Sequence, residues 1–119
     1  MNLKNLFSLK NKLIVLIGGD GLIGKKILDG LSHCGARIIV VEKKSIKRKN
    51  KANIFYYKID ISNLKTLENK ILELIKKFGV PDGVINCSYP KTHDWSKNNY
   101  KDVKLNSFLK NIEIHLISF

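Results

Sequence analysis

No apolar stretch of this chain approaches the roughly 18 residues that a membrane span requires. The segment from Met1 to Lys12 is polar and lysine-bearing, without the apolar core of a signal peptide. Neither membrane insertion nor export is expected, and the cytoplasm is the expected location. Cysteine is scarce too. Cys34 and Cys87 stand far apart with no C-x-x-C pairing, which argues against a zinc cage or a disulfide framework and for two free thiols in a reducing compartment. Arginine is nearly absent, with two residues against twenty lysines. The net charge of +12 raises the question of nucleic acid, since clustered cations neutralise phosphates and release counterions. Apart from Lys43 to Lys51, the lysines are spread over every expected helix and loop, which is the pattern of a solvated surface and argues against a nucleic-acid partner.

What is present is one domain's worth of chain, 119 residues with 44% hydrophobic content, and a glycine pattern near its start. The apolar run Leu13 to Ile17 is followed by Gly18-Gly19-Asp20-Gly21-Leu22-Ile23-Gly24. Gly19, Gly21 and Gly24 satisfy G-x-G-x-x-G, in which the first glycine permits a tight turn and the second allows close approach of a pyrophosphate. The third lets the next helix pack on the strand. A helix starting near Gly21 turns its unpaired N–H groups and positive dipole end toward the phosphates. Ile23, Ile27, Leu28 and Leu31 are spaced as its buried face.

The rest of the chain alternates between the two periods. Strands are expected at Leu13 to Ile17, Arg37 to Val41, Ile54 to Ile59 and Val84 to Asn86, and helices from about Leu22 to Ser32 and from Leu64 to Phe78. The second helix carries Leu67, Ile71, Leu74, Ile75 and Phe78 on its buried face, and Pro81-Asp82-Gly83 turns the chain into strand four. A polar loop from Ser88 to Asn99 leads to a last helix, from about Asp102 to Phe119, with Leu105, Phe108, Leu109, Ile112 and Leu116 at helical spacing. Right-handed crossovers then make an α/β fold, a partial doubly wound (Rossmann) parallel sheet in the order 3-2-1-4, truncated after the helix that follows strand four. Residues 1–11 are expected as an N-terminal extension and 12–119 as an incomplete NAD(P)-binding domain.

Glu42, 21 residues after Gly21, ends strand two where an acidic side chain accepts hydrogen bonds from the adenosine ribose and repels a 2′-phosphate. That favours NAD, while Lys43 and Lys44 keep NADP open. Asp60 falls at the carboxyl edge of the sheet, where open α/β sheets bind ligands. Its alternative role is an Asx turn or N-cap for the next helix, for which Ser62 and Asn63 also qualify.

The set Ile17 to Gly24, Asp60-Ile61-Ser62, and Phe78 to Pro90 (FGVPDGVINCSYP) resembles the amino-terminal half of a short-chain dehydrogenase/reductase over about Lys12 to Phe119. Within that family, Asn-Cys-Ser-Tyr-Pro is most similar to a version associated with oxidoreductases of flagellin and nonulosonic-acid sugar modification. The resemblance implies that Gly18, Gly19, Gly21, Ile23 and Gly24 wrap the pyrophosphate and that Asp60 and Ile61 border the adenine. Asn86, Cys87 and Ser88 then support the sheet beside the nicotinamide ribose.

The departures from the family pattern are as informative. Gly18 stands where the family usually has threonine, and the turn is nearer the G-x-x-G-x-x-G form of sugar-nucleotide epimerases. His115 stands where the family's helix carries a catalytic asparagine, and a structural role is the expectation for it. The family's serine and Tyr-x-x-x-Lys pair belong on later elements and are not among these residues, so no catalytic residue is assigned. Tyr100 and Lys104 match the letters of that pair without its structural context. The edge of strand four is expected to be left unpaired and open to aggregation or a partner, either a missing carboxyl-terminal half or a second copy.

These features imply the cofactor-binding half of an NAD(P)-dependent oxidoreductase, with weak or absent dinucleotide binding and no turnover by the chain alone. The alternatives are a non-catalytic nucleotide- or nucleic-acid-binding module, and a fragment of a sugar-nucleotide epimerase, against which the Asn86 motif speaks.

Overall fold

A computed structural model describes residues 3–44, 48–89, 91–97 and 99–117. Pro90, the middle of the basic loop at 45–47 and the end of the expected last helix, Ser118 and Phe119, lie outside the described residues. The chain divides into two compact units, Met1–Ser88 and Tyr89–Phe119.

The first unit begins with a short helix α1 (Leu3–Leu6) and continues β1 (Leu13–Ile17), α2 (Leu22–His33), β2 (Arg37–Glu42), β3 (Ile54–Lys58), α3 (Leu64–Phe78) and β4 (Gly83–Asn86). The strands form one parallel sheet in the order β3-β2-β1-β4, the topology expected from the alternating elements. Strand boundaries agree with expectation within one residue: β2 takes in Glu42, β3 ends at Lys58 and β4 begins at Gly83.

Strand alternation divides the core between two faces. On one face, Ile14 and Leu16 of β1, Ile38 and Val40 of β2 and Ile54 of β3 pack with Leu28 of α2, flanked by Ile27 and Leu31. On the other, Leu13, Ile39, Val41 and Ile59 pack with Leu67, Leu74 and Phe78 of α3. A sheet covered on both faces explains why β1 and β2 are continuous apolar runs and do not alternate with polar residues. Leu16, Ile38, Ile39 and Val40 are fully buried, and each such side chain contributes about 1.5–3 kcal/mol. Leu9 joins the first cluster, and its N–H donates to the Cys34 carbonyl at 2.8 Å.

Two expected core positions are corrected. Ile23 is 67% exposed, because it sits in the first turn of α2, beyond the end of the sheet. Ile71 is 45% exposed, at the flank of a stripe whose packing reaches Leu67, Leu74 and Phe78.

The strand starts are tied by Asp82. Its Oδ2 accepts the Leu13 N–H at 2.8 Å and its Oδ1 accepts Lys12 Nζ at 2.9 Å, while the Asp82 N–H donates to the Leu13 carbonyl at 2.8 Å. These bonds, that from Leu13 first and then Lys12, hold the Asp82 carboxyl below its ordinary pKa.

The second unit corrects the expected single helix from Asp102. A 3-10 turn covers Tyr100–Asp102, Val103 and Lys104 are extended, α4 spans Leu105–Ile112, and a π-helical stretch covers Glu113–Ile117. The apolar spacing begins only at Leu105, so nothing commits residues 102–104 to the helix. Within this unit the buried Asn111 donates from Nδ2 to Thr92 Oγ1 at 2.9 Å and to the Ser107 carbonyl at 2.7 Å. Ser107 Oγ donates to Asp94 at 2.6 Å; this bond, and a second from Thr92, keep the Asp94 carboxyl below its ordinary range.

Candidate dinucleotide site

Strand register brings the sequence motifs to one edge. Ile17, the last residue of β1, pairs with Val41 and with Asn86, and Glu42 pairs with Lys58. The segments that leave these strands at their carboxyl ends are therefore neighbours: Gly18 to Gly24, Glu42 to Lys44, Asp60 to Ser62, and Asn86 to Ser88. An open α/β sheet presents its ligand crevice at that edge, beside the reversal of strand order at β1.

The glycine turn is built from short-range contacts. The Gly18 N–H donates to the Val41 carbonyl at 2.9 Å, the Gly21 N–H to the Gly18 carbonyl at 3.2 Å, and the Lys25 N–H to the Gly21 carbonyl at 3.0 Å. Gly18 has φ +77°, and a Cβ there would lie 2.7 Å from the Ser88 nitrogen. A Cβ at Gly24 would fall on the Gly18 carbonyl oxygen, so α2 approaches the turn as closely as the sequence pattern requires of the third glycine. Gly21 differs from both. It is exposed, and its Cβ would meet the protein only at 3.4 Å, on the Gly18 carbonyl oxygen.

Gly21 is also the N-cap of α2, with extended backbone and no side-chain cap. The first-turn N–H groups of Leu22, Ile23 and Gly24 precede the first intrahelical bond, that of Lys25. A helix start of this kind is complementary to an anion.

Glu42 faces this turn. Its Oε1 accepts the Asp20 N–H at 2.6 Å, and its main-chain carbonyl accepts the Ile59 N–H at 2.8 Å. Asp60 makes the Asx turn that was its alternative reading: its Oδ1 accepts both the Ser62 N–H at 3.0 Å and Ser62 Oγ at 2.6 Å. Lys43 Nζ lies 3.1 Å from the other carboxylate oxygen. The bond from Ser62, and then Lys43, hold the Asp60 carboxyl below its ordinary range. Asn63 takes the N-cap position of α3 without a side-chain cap bond.

At the end of β4, Asn86 Oδ1 accepts the Ser88 N–H at 2.9 Å and Ser88 Oγ at 2.6 Å, and the Cys87 N–H donates to the Ile17 carbonyl at 2.8 Å. These bonds fix the backbone that packs against Gly18. His115, in the second unit, lies in the π-helical stretch with its ring 5.2 Å from that of Tyr89. Tyr100 is 96% exposed in its 3-10 turn and Lys104 precedes α4. The two do not share a helix, which leaves their Y-x-x-x-K letters without the geometry of a catalytic pair.

Sequence reading missed Asp20 and Arg48. Asp20 Oδ1 lies 3.4 Å from Arg48 Nη2 and 3.7 Å from Lys25 Nζ. The only sequence signal was an acidic residue inside the glycine turn of a chain otherwise rich in lysine.

Known proteins are similar to this chain in sequence and fold. The chain is 28% identical over 120 aligned residues to the post-translational flagellin modification protein A of Campylobacter coli, covering 93% of this chain and 47% of that protein. It therefore spans about half the length of the curated relative it matches, and that relative falls in the flagellin-modification group that the Asn86 segment resembles. A short-chain dehydrogenase of Leptospira borgpetersenii crystallised with bound NAD+ superposes with a TM-score of 0.76 at 24% identity, over 99% of this chain and 46% of that one. One from Bacillus anthracis gives 0.75 at 21% identity, over 93% and 46%. These structures share the fold, a Rossmann-like parallel α/β sheet. The model of the NAD dependent epimerase/dehydratase family matches residues 14–114, so the Asn86 segment does not by itself set the chain apart from that family. With the match spanning the glycine turn, β2 to β4, β1 from its second residue, and α4, the chain belongs to the NAD dependent epimerase/dehydratase family.

Proposed function

We propose that these 119 residues are the cofactor-binding part of an NAD-dependent oxidoreductase of the short-chain dehydrogenase and epimerase type. The observation that carries this reading is the uncapped start of α2 at Gly21, open to an anion beside the Glu42 carboxylate. Gly18, Gly19, Gly21, Ile23 and Gly24 line the pyrophosphate, with the exposed Ile23 side chain beside it. Glu42 Oε1 is taken by the Asp20 N–H, and its other oxygen would accept hydrogen bonds from the adenosine ribose hydroxyls. Asp60 shapes the turn that sets Ile61 beside the adenine, and Asn86, Cys87 and Ser88 support the nicotinamide ribose. When bound, the nicotinamide supplies the hydride acceptor or donor. The chain's own residues bind and orient it.

The charge pattern supports NAD over NADP. Glu42 repels a phosphate on the adenosine ribose, and Lys43 is engaged by Asp60, which leaves less positive charge to attract that phosphate. The exposed row Leu105, Phe108, Leu109, Ile112 and Leu116 supports a protein partner, either a carboxyl-terminal half or a second copy.

Calorimetric titration of the chain with ADP-ribose, NAD+ and nicotinamide mononucleotide tests the reading. ADP-ribose and NAD+ are expected to bind with similar, weak affinity and the mononucleotide not at all, with no hydride transfer by the purified chain. Binding of the mononucleotide alone, or measured turnover, would overturn it.

A further inference from the structure

The turn holds a charge cluster that its backbone geometry does not require. Asp20 projects one carboxylate oxygen toward both Arg48 Nη2, at 3.4 Å, and Lys25 Nζ, at 3.7 Å, and all three side chains are about half exposed. Exposed pairs of this kind add little to stability, typically about 0–1 kcal/mol, so their consequence lies in where they place charge. Arg48 reaches Asp20 from the loop after β2, the same loop that begins with Lys43 and Lys44 beside Glu42. The Tyr56 side chain, and then Asp20, raise the pKa of the Arg48 guanidinium further. The Tyr56 N–H in turn donates to Asn50 Oδ1 at 2.9 Å, which ties the same loop to β3. Asp20 itself is fixed by its N–H bond to Glu42 Oε1. Two carboxylates and two cations are thus gathered at the end of the turn nearest the ribose-binding position of Glu42, and the cations are directed to Asp20.

We propose that Asp20 is a specificity-determining residue, holding Arg48 and Lys25 as counter-ions so that this end of the site rejects a nucleotide carrying a phosphate on its adenosine ribose. The inference rests on the dinucleotide reading and deepens it. A guanidinium is the side chain best suited to a phosphate monoester, which it meets with two parallel hydrogen bonds. In this chain that group is present but engaged by Asp20, which adds to the repulsion from Glu42. Removing the Asp20 charge frees Arg48 of its counter-ion and turns it into a phosphate ligand.

The test is a nuclear magnetic resonance titration of the full chain with NAD+ and NADP+, which reads weak affinities directly. It compares the native chain with Asp20→Asn, Asp20→Ser and the double variant Asp20→Asn/Arg48→Gln. Either single substitution is expected to shift the ratio of affinities toward NADP+ by about tenfold or more, and the Arg48 substitution to cancel that shift. NAD+ binding with an unchanged ratio in both single variants overturns the proposal and leaves the dinucleotide reading intact. A shift that survives loss of Arg48 also overturns it. Binding of neither nucleotide by the native chain or the variants overturns the dinucleotide reading and the proposal together.

Discussion

Gly24 lies so close to Gly18 that a side chain at position 24 would fall on the Gly18 carbonyl oxygen. That carbonyl accepts the Gly21 N–H at 3.2 Å, so displacing it unsettles the turn and the start of α2 together. Gly24→Ala is therefore expected to cost about 1–3 kcal/mol, the usual penalty of overpacking against a group that cannot move. Urea denaturation followed by circular dichroism measures it, and a loss below the experimental error would show that the helix can shift at no cost.

Gly21 is expected to respond in the opposite way. Its backbone is extended with φ −70°, and a Cβ there has 3.4 Å to its nearest neighbour. The gain from a stiffer unfolded chain, about 0.4–1 kcal/mol, is set against the poorer N-cap that alanine makes. Gly21→Ala should leave stability within about 0.5 kcal/mol of the native chain while weakening NAD+ binding by about tenfold or more, because the methyl group lies where the pyrophosphate must approach. Stability from denaturation and affinity from titration, measured on the same sample, separate a glycine kept for a ligand from one kept for packing.

The contrast between these two glycines shows how far the sequence could be read. The alternation of apolar strands with helices at Leu22 and Leu64 fixed the topology, because a sheet buried on both faces has few alternatives once its crossovers are right-handed. The same spacing placed Ile23 in the core, although the first turn of α2 projects past the sheet, and it carried the last helix back through residues 102–104, which are not α-helical. Glu42, Asp60 and Asn86 were located by their positions at strand ends. Their hydrogen bonds to Asp20 and Ser62, and from Ser88 to Asn86, depend on side-chain direction, which spacing does not encode. Arg48 was least legible. It lies 28 residues from Asp20 in a loop that reads as solvated charge, and only the pairing of β2 with β3 brings that loop near the turn.

Asp82 gives the fold an acid-sensitive clasp. Its carboxyl is held below the ordinary value by the Leu13 N–H and by Lys12. A group with a depressed folded-state pKa contributes stability that is complete above its unfolded value, about 3.9, and is lost as the pH falls through the folded value. The melting temperature should therefore fall as the pH drops below about 4, with Asp60 contributing in the same sense. Asp82→Asn should lower the melting temperature at pH 7 and make its decline in acid shallower than that of the native chain. Parallel acid limbs for the two proteins would remove Asp82 from the account.

The central claim is that the carboxyl edge of this sheet binds a dinucleotide. Backbone amide shifts of the isotopically labelled chain during titration with NAD+ test it most directly. The expected result is saturable shifts concentrated at Gly18 to Gly24, Glu42, Asp60, Ile61 and Asn86 to Ser88, weak in affinity and reproduced by ADP-ribose. Shifts confined to the lysines of the basic loop, or no saturable shift at any of those positions, would contradict it.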